Sequence, residues 1–217
     1  MVIPKNIFQT HEWEYEDLPD FMKIITETWI KMNPGWNYVY MGAKERRAYV
    51  ESFYPELIKM YDRLGKMFQA DMWRYIIVYN NGGCYADMDS ICIMSLDKML
   101  NQKYIDQEMV CTKIDIDDNK PRYDRYNNCI ETKYVNNSNF MSIKNSNILK
   151  TVINKMIAYS NYVDSEKHFR NYLPFSESIM INKAKVLFEM ENVCIHSKGL
   201  KIKENTLRMI NSFVVFP

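Results

Sequence analysis

The order of apolar and polar positions changes period along the chain, and each change marks an element. Ile3 to Thr10 is a short apolar run that ends in polar residues, as a strand does. From Asp20 to Met32, Phe21, Ile24, Ile25, Thr28 and Trp29 recur at helical spacing. Asn33-Pro34-Gly35 stops that helix, because proline cannot continue it and glycine relaxes the turn, and Trp36 to Tyr40 then alternates as a second strand. Strand, helix and strand in this order predict a parallel, doubly wound beginning.

A helical region from Lys44 to about Tyr61 is interrupted at Tyr54-Pro55, and a longer helix from about Leu64 to Asn80 stops at Gly82-Gly83. Cys84 to Met94 reads as the next strand. Lys113 to Asn128 is rich in Asp, Asn, Lys, Arg and Tyr, has little period, and reads as a surface loop. Glu131 to Ile143 alternates as strands, Ile148 to Tyr162 and Ser176 to Phe188 read as helices, and Ser212 to Phe216 reads as an edge strand or docked tail.

At 217 residues the chain can bury one substantial core, so a single α/β domain is expected over its whole length. Lys and Arg number 28 against 27 Asp and Glu, a net charge of +1, which supplies no basic footprint for nucleic acid and sets that partner class aside. The five cysteines are scattered, without a Cys-x-x-Cys pair, and read as buried free thiols. No run approaches the roughly 20 apolar residues that span a bilayer, and Met1 to Asn6 lacks a signal-peptide core. The expectation is a soluble, cytoplasmic protein without a membrane segment, or the excised catalytic domain of a longer one.

The chemistry gathers at Asp87-Met88-Asp89. On an extended backbone the two carboxylates emerge on one side and Met88 turns into the core. Two carboxylates facing one small volume call for a cation, and hard oxygen ligands suit Mg²⁺ or Mn²⁺, which would neutralise a diphosphate. Upstream, Asp71 and Arg74 stand three residues apart on one helical face with Tyr75 beside them, on a helix that is apolar almost all round. A charged pair on a buried helix needs a reason, and a hydroxyl-rich substrate would give it hydrogen-bond partners. The Gly82-Gly83 turn leads directly from this helix to Asp87.

Gln69-Ala70-Asp71-Met72-Trp73-Arg74-Tyr75, followed by Gly82-Gly83-Cys84-Tyr85-Ala86-Asp87-Met88-Asp89, resembles the sugar-binding DXD region of glycosyltransferase family 32. Ile3 to Thr10 resembles that family's first strand and Asn33 to Tyr38 the start of its second, so the likeness covers most of residues 1–95. Yeast Golgi mannosyltransferases, bacterial capsule-type enzymes and viral enzymes belong to the family. The clostridial glucosylating toxins share a related core, and chlorella-virus glycosyltransferases are similar.

The resemblance implies a GT-A fold with a central, mainly parallel mixed sheet flanked by helices, a nucleotide-sugar donor, Mn²⁺ or Mg²⁺, and retention of anomeric configuration. It makes Asp89 a direct metal ligand and Asp87 a ligand of metal, donor ribose, or both. Asp71 and Arg74 would hold hydroxyls of the transferred sugar, Gln9 and Thr10 would contact the nucleoside, and Tyr85 would line the same pocket. Asn139, in Asn136 to Met141, corresponds to an asparagine near the donor sugar, and His196 to a late metal ligand. The expected donor is a UDP-sugar, UDP-glucose ahead of GDP-sugars, and the acceptor a glycan or glycoprotein hydroxyl.

The chain departs from the pattern at four places. Phe8 stands for the usual His before Gln-Thr, and His11 for the usual Trp after it, leaving His11 and Trp13 as stacking partners for the base. Pro174 lacks the preceding Gly of the family's turn, and no Ser-Trp follows His196. Two rival readings remain: an aspartate-nucleophile phosphatase, whose Asp-x-Asp normally lies close to the N-terminus, and a nucleotide-sugar-binding module without turnover.

Overall fold

The computed structural model describes residues 2–100, 108–114, 122–123, 129–130, 134–160, 186–188 and 194–196. Strand β1 (Asn6–Thr10) leads through a 3-10 turn (Tyr15–Asp17) into helix α1 (Asp20–Met32) and back to strand β2 (Asn37–Met41). The Asn33 side chain closes the end of α1 by donating to the Trp29 carbonyl at 2.9 Å. Helix α2 (Ala43–Phe53) breaks at Tyr54-Pro55 as the proline dictates, a 3-10 turn (Pro55–Leu57) and short α3 (Ile58–Tyr61) follow, and α4 (Lys66–Asn81) runs into strand β3 (Gly83–Ala86).

Beyond β3 come β4 (Ser90–Cys92), the one-turn α5 (Leu96–Met99), β5 (Met109–Ile114), β6 (Arg122–Tyr123), β7 (Cys129–Ile130), β8 (Tyr134–Ser142), α6 (Asn147–Ser160), β9 (Val186–Phe188) and β10 (Cys194–His196). Six strands form one sheet in the order β2-β1-β3-β8-β5-β9. β1 is parallel to β2 and to β3, and β5 is parallel to β9, while β8 is antiparallel to both β3 and β5.

Period-2 alternation distributes the sheet's side chains between two cores. Phe8, Tyr85, Met109, Cys111 and Phe140 pack with Trp73, Tyr75, Ile76 and Ile77 of α4, Val50 of α2, and Leu149 and Val152 of α6. Ile7, Cys84, Ala86, Val110 and Met141 face the other way, onto Trp29 of α1, Trp36, Leu96 and Met99. Helices therefore cover both faces, and the expected α/β architecture is observed. Cys84, Cys92 and Cys111 are buried thiols.

The first connection leaves β1 over one face and the next returns to β3 over the other, so the strand order reverses at β1. Open α/β sheets bind ligands at such a reversal, outside the carboxyl ends of the strands. Here those ends carry Gln9, Thr10 and the residues after Ala86.

Three expectations are corrected. The strand expected from Cys84 to Met94 is broken, because Asp87 to Asp89 form a turn closed by the Ser90 amide on the Asp87 carbonyl at 3.0 Å. Past that turn β4 leaves the main sheet and pairs with β10 instead. Val186–Phe188, expected as the end of a helix, is a strand on the sheet edge, where a short apolar run gains ladder hydrogen bonds that helical periodicity alone could not weigh. Within the loop expected over Lys113 to Asn128, Lys113 and Ile114 finish β5, and β6 pairs with β7. The rest of that segment, 161–185 and the expected strand Ser212 to Phe216 lie outside the described residues. Among the described residues, no helix is long and apolar enough to cross a membrane.

Gly82 and Gly83 make the junction between α4 and β3 possible. Gly82 has φ 65° and ends α4 with its amide on the Val78 carbonyl at 2.8 Å. Gly83 has φ 119°, and a Cβ there would lie 2.5 Å from the Asn6 carbonyl oxygen, inside the parallel approach of β1 and β3. Gly83→Ala is expected to cost about 2 kcal/mol or more, combining left-handed strain with a backbone clash. A urea midpoint close to that of the wild type would contradict this.

Candidate active site

The turn Asp87-Met88-Asp89 sits at the carboxyl end of β3 and is gripped from several elements. The Asp87 amide donates to the Ser138 carbonyl of β8 at 2.8 Å, and the Asp87 carbonyl accepts from Gln9 Nε2 of β1 at 3.2 Å. The Tyr85 hydroxyl donates to Asp87 Oδ1 at 2.6 Å. Met88 is buried as expected, although within a turn rather than on an extended strand, and its sulfur lies 4.0 Å from Thr26 Oγ1 of α1. Trp29 donates its indole N–H to the Ser90 carbonyl at 2.7 Å, fixing the turn's far end.

Arg74 joins this turn to α4. Its Nη2 lies 2.9 Å from Asp71 Oδ1 and 3.2 Å from Asp87 Oδ1, its Nη1 donates to the Asn137 carbonyl at 2.7 Å, and its guanidinium carbon sits 4.4 Å from the centre of the Tyr85 ring. Ion pairing and cation–π contact thus come from one buried group. Burial opposes its charge, but the Tyr85, Asp87 and Asp71 side chains together hold it firmly protonated. Burial is also the main cause that raises the Asp71 carboxyl above the ordinary aspartate range. Arg74 opposes that rise, the charge of Asp87 adds to it, and the Asn137 amide, 3.3 Å from Asp71 Oδ1, opposes it. The Tyr85 phenol is pushed well up, first by burial, so it stays a donor toward Asp87.

The structure brings only some of the residues singled out from sequence together. Asp71, Arg74, Tyr85 and Asp87 form one contiguous cluster, and Gln9 joins it through the Asp87 main chain. Thr10, on the opposite face of β1 from Gln9, donates to the Met41 carbonyl at 2.7 Å and accepts from Arg46 Nη1 at 3.0 Å. Asn139 lies opposite Ala86 in the β3–β8 register, fully buried, with its Nδ2 on Ser138 Oγ at 3.1 Å and its Oδ1 without a hydrogen-bond partner among the described residues. Asp89 is partly exposed with a buried Oδ1. His196 pairs in register with Ser90, the residue after Asp89, which brings the late segment alongside the turn. His11 and Trp13 touch edge to face at 4.9 Å, and Trp13 is 48% exposed.

Three participants are absent from the sequence reading. Asn137 reaches Asp71 because β8 carries an irregularity: Cys111 of β5 pairs with Phe140 but Thr112 pairs with Asn136, so residues 137–139 bulge toward Asp87. Asn137 shares strand parity with Asn139, which was the available signal. Arg46 is fully buried and binds Thr10, the Tyr61 hydroxyl at 2.9 Å, and Glu12. Tyr38 donates to Gln9 Oε1 at 2.9 Å. An arginine on a polar-looking helix and a tyrosine in an alternating strand carry no mark of these contacts.

Residues 19–106 match the family described as a glycosyltransferase sugar-binding region containing a DXD motif, so the likeness inferred from the motifs holds for the segment that contains the whole α4–β3–turn unit. The inositol phosphoceramide mannosyltransferase 3 of Schizosaccharomyces pombe is 32% identical over 100 residues, 46% of this chain and 28% of that protein. The initiation-specific alpha-1,6-mannosyltransferase of Candida albicans is 28% identical over 116 residues, 51% of this chain and 29% of the relative. The chain therefore spans under a third of the length of these curated relatives. An uncharacterized glycosyltransferase of Acanthamoeba polyphaga mimivirus is 32% identical over 101 residues, 46% of this chain and 40% of that protein. Among solved structures, PaToxG Glycosyltransferase shares the fold, with a TM-score of 0.52 over 82% of this chain and 67% of that one at 13% identity.

Arg74→Met leaves Asp71 buried without its cation and is expected to cost about 3 kcal/mol, much of it recovered in the double variant with Asp71→Asn. Simple additivity of the two urea-derived losses would refute the coupling. A carboxyl whose folded pKa lies above its unfolded value binds more protons in the folded chain between the two values, so stability falls as pH rises through that window. The stability of the wild type relative to Asp71→Asn is accordingly expected to decline as pH rises from just below the ordinary aspartate value to above it, and a flat or rising difference would contradict the raised pKa.

Proposed function

We propose that this chain is a metal-dependent glycosyltransferase that moves a hexose from a nucleotide sugar to an acceptor hydroxyl of a glycan or glycoprotein. The observation that carries the reading is the position of Asp87-Met88-Asp89. The turn lies at the carboxyl end of the sheet, where the strand order reverses, inside the segment that matches a DXD sugar-binding region.

The donor set suits a hard divalent cation. Asp87 and Asp89 offer only oxygen, and the Asp87 side chain is 29% exposed although Oδ1 is already bonded to Tyr85 and Arg74. Among the described residues no group of three or more His, Cys, Asp or Glu side chains is placed to hold a metal ion by itself. One or two carboxylates completed by substrate phosphates is the usual arrangement for Mg²⁺, and Mn²⁺ takes similar oxygen ligands. Asp89 and Asp87 would hold the ion; the family resemblance adds His196 as a late ligand, and its strand pairs alongside Ser90. Bound there, it neutralises the diphosphate and stabilises it as a leaving group.

The chain's own residues do the rest. Gln9 and Thr10 occupy the strand end where the nucleoside would lie, and Asn139 brings an unengaged acceptor, Oδ1, to the same edge of the sheet. Arg74 and Tyr85 hold the Asp87 carboxylate in one orientation. Asp71, with Asn137 on Oδ1, is the carboxylate suited to accept hydrogen bonds from sugar hydroxyls. As the bond from the anomeric carbon to the phosphate oxygen breaks, its electron pair leaves with the nucleoside diphosphate. The acceptor oxygen bonds to the same carbon and passes its proton to the departing diphosphate oxygen. Retention of configuration is the expected outcome.

For the donor, the resemblance to glucosylating members favours UDP-glucose, whereas the names of the fungal relatives describe mannosyl transfer, for which GDP-mannose is the donor to compare. Calorimetric titration of both sugars, with and without Mn²⁺, is expected to show metal-dependent binding of one of them, weakened at least about tenfold in Asp89→Ala. Absence of binding to any nucleotide sugar with either Mn²⁺ or Mg²⁺ would sink the proposal.

A further inference from the structure

Behind the Asp87 turn, three elements meet at one hydroxyl. Tyr38 stands in the middle of β2 on the face that looks toward α1, and its hydroxyl donates to Gln9 Oε1 at 2.9 Å. With that oxygen occupied, the Gln9 amide presents its N–H side to the Asp87 carbonyl, 3.2 Å away. Thr26 of α1 lies beside that hydroxyl, is fully buried and contacts the sulfur of Met88 at 4.0 Å. The same hydroxyl thus reaches the Asp87 carbonyl through two hydrogen bonds by way of Gln9, and Met88 through its neighbour Thr26; Asp87 and Met88 are the two residues that precede Asp89.

We propose that Tyr38 is a positioning residue of the donor site, which, through Gln9 and Thr26, sets the conformation of the Asp87-Met88-Asp89 turn and hence the affinity of its carboxylates for a divalent cation. The inference rests on the glycosyltransferase reading for its metal, and on the geometry alone for its effect on the turn. Without the phenolic O–H, the Gln9 amide loses the contact that fixes which of its ends faces Asp87, and an amide turned over would set oxygen against the Asp87 carbonyl. Tyr38 is well suited to the task, because burial pushes its phenol far above the ordinary range and it keeps its proton throughout the working pH range. Removing partners bonded directly to a metal ligand typically changes metal affinity roughly ten- to a hundredfold, and Tyr38, which acts one step further out through Gln9, is expected at the low end of that range.

The test uses Tyr38→Phe and Thr26→Val in the full chain. Three hydrogen bonds report the turn without any ligand: the Asp87 amide on Ser138, the Ser90 amide on Asp87, and the Trp29 indole on Ser90. Hydrogen exchange at these three N–H groups is followed by NMR, beside the urea midpoint and the Mn²⁺ concentration that half-saturates donor binding. Expected in Tyr38→Phe are faster exchange at the turn, a Mn²⁺ requirement raised about tenfold, and a nearly unchanged urea midpoint, with Thr26→Val acting in the same direction. Unchanged exchange at all three groups, or a lowered midpoint with an unchanged Mn²⁺ requirement, would overturn the proposal. If the wild type binds no nucleotide sugar, the function proposed above fails, and the turn's exchange in Tyr38→Phe decides the positioning role alone.

Discussion

The guanidinium of Arg74 is the point on which the site depends, since it ties the middle of α4 to the turn after β3 and to the bulge of β8. A single buried cation meets Asp71, Asp87, the Asn137 carbonyl and the face of Tyr85. Removing such a charge from water is costly, and the compensation comes from carboxylates that would otherwise repel one another across the same small volume. The arrangement leaves Asp87 oriented but already committed on Oδ1. Its remaining exposure, together with Asp89, is what the site can offer to a cation.

The sheet supplies the rigidity this requires. β1 is flanked by parallel neighbours and covered by helices on both faces, and its alternation sends Phe8 and Thr10 toward α2 and α4 while Ile7 and Gln9 face α1. The two ends of the site therefore have different supports. Gln9 works with Tyr38 and Thr26 behind the Asp87 turn, while Thr10 is held by Arg46, which also secures Glu12 and the start of the segment bearing His11 and Trp13. A donor bridging the two would contact both faces of the same central strand.

The Gly82-Gly83 junction explains why the helix and the turn occur so close in the chain. Only Gly82 and the four residues of β3 separate the end of α4 from Asp87, so Arg74 can reach back across two turns of helix to the carboxylate. A longer connection would leave that register unfixed. The backbone of Gly83 lies so near Asn6 that β3 enters the sheet directly beside β1, which is also what sets Gln9 against the Asp87 carbonyl.

Local chemistry and period made much of this readable in advance. Proline, glycine and asparagine end α1, split α2 from α3 and close α4 through constraints that act within a few residues, and the 3.6- and 2-residue periods of α1, α4 and β1 reflect burial on one face. The grouping of Asp71, Arg74 and Asp87 was legible because charge inside an apolar segment needs a partner. The break at Asp87 to Asp89, the strand at Val186–Phe188 and the roles of Tyr38, Arg46 and Asn137 were decided by tertiary structure. Each depends on a neighbour distant in sequence: Ser138 for the turn, β5 for the edge strand, Gln9 for Tyr38, Thr10 for Arg46, and the β5–β8 bulge for Asn137. A residue's own period cannot announce a hydrogen bond whose other half arrives only when the sheet has assembled.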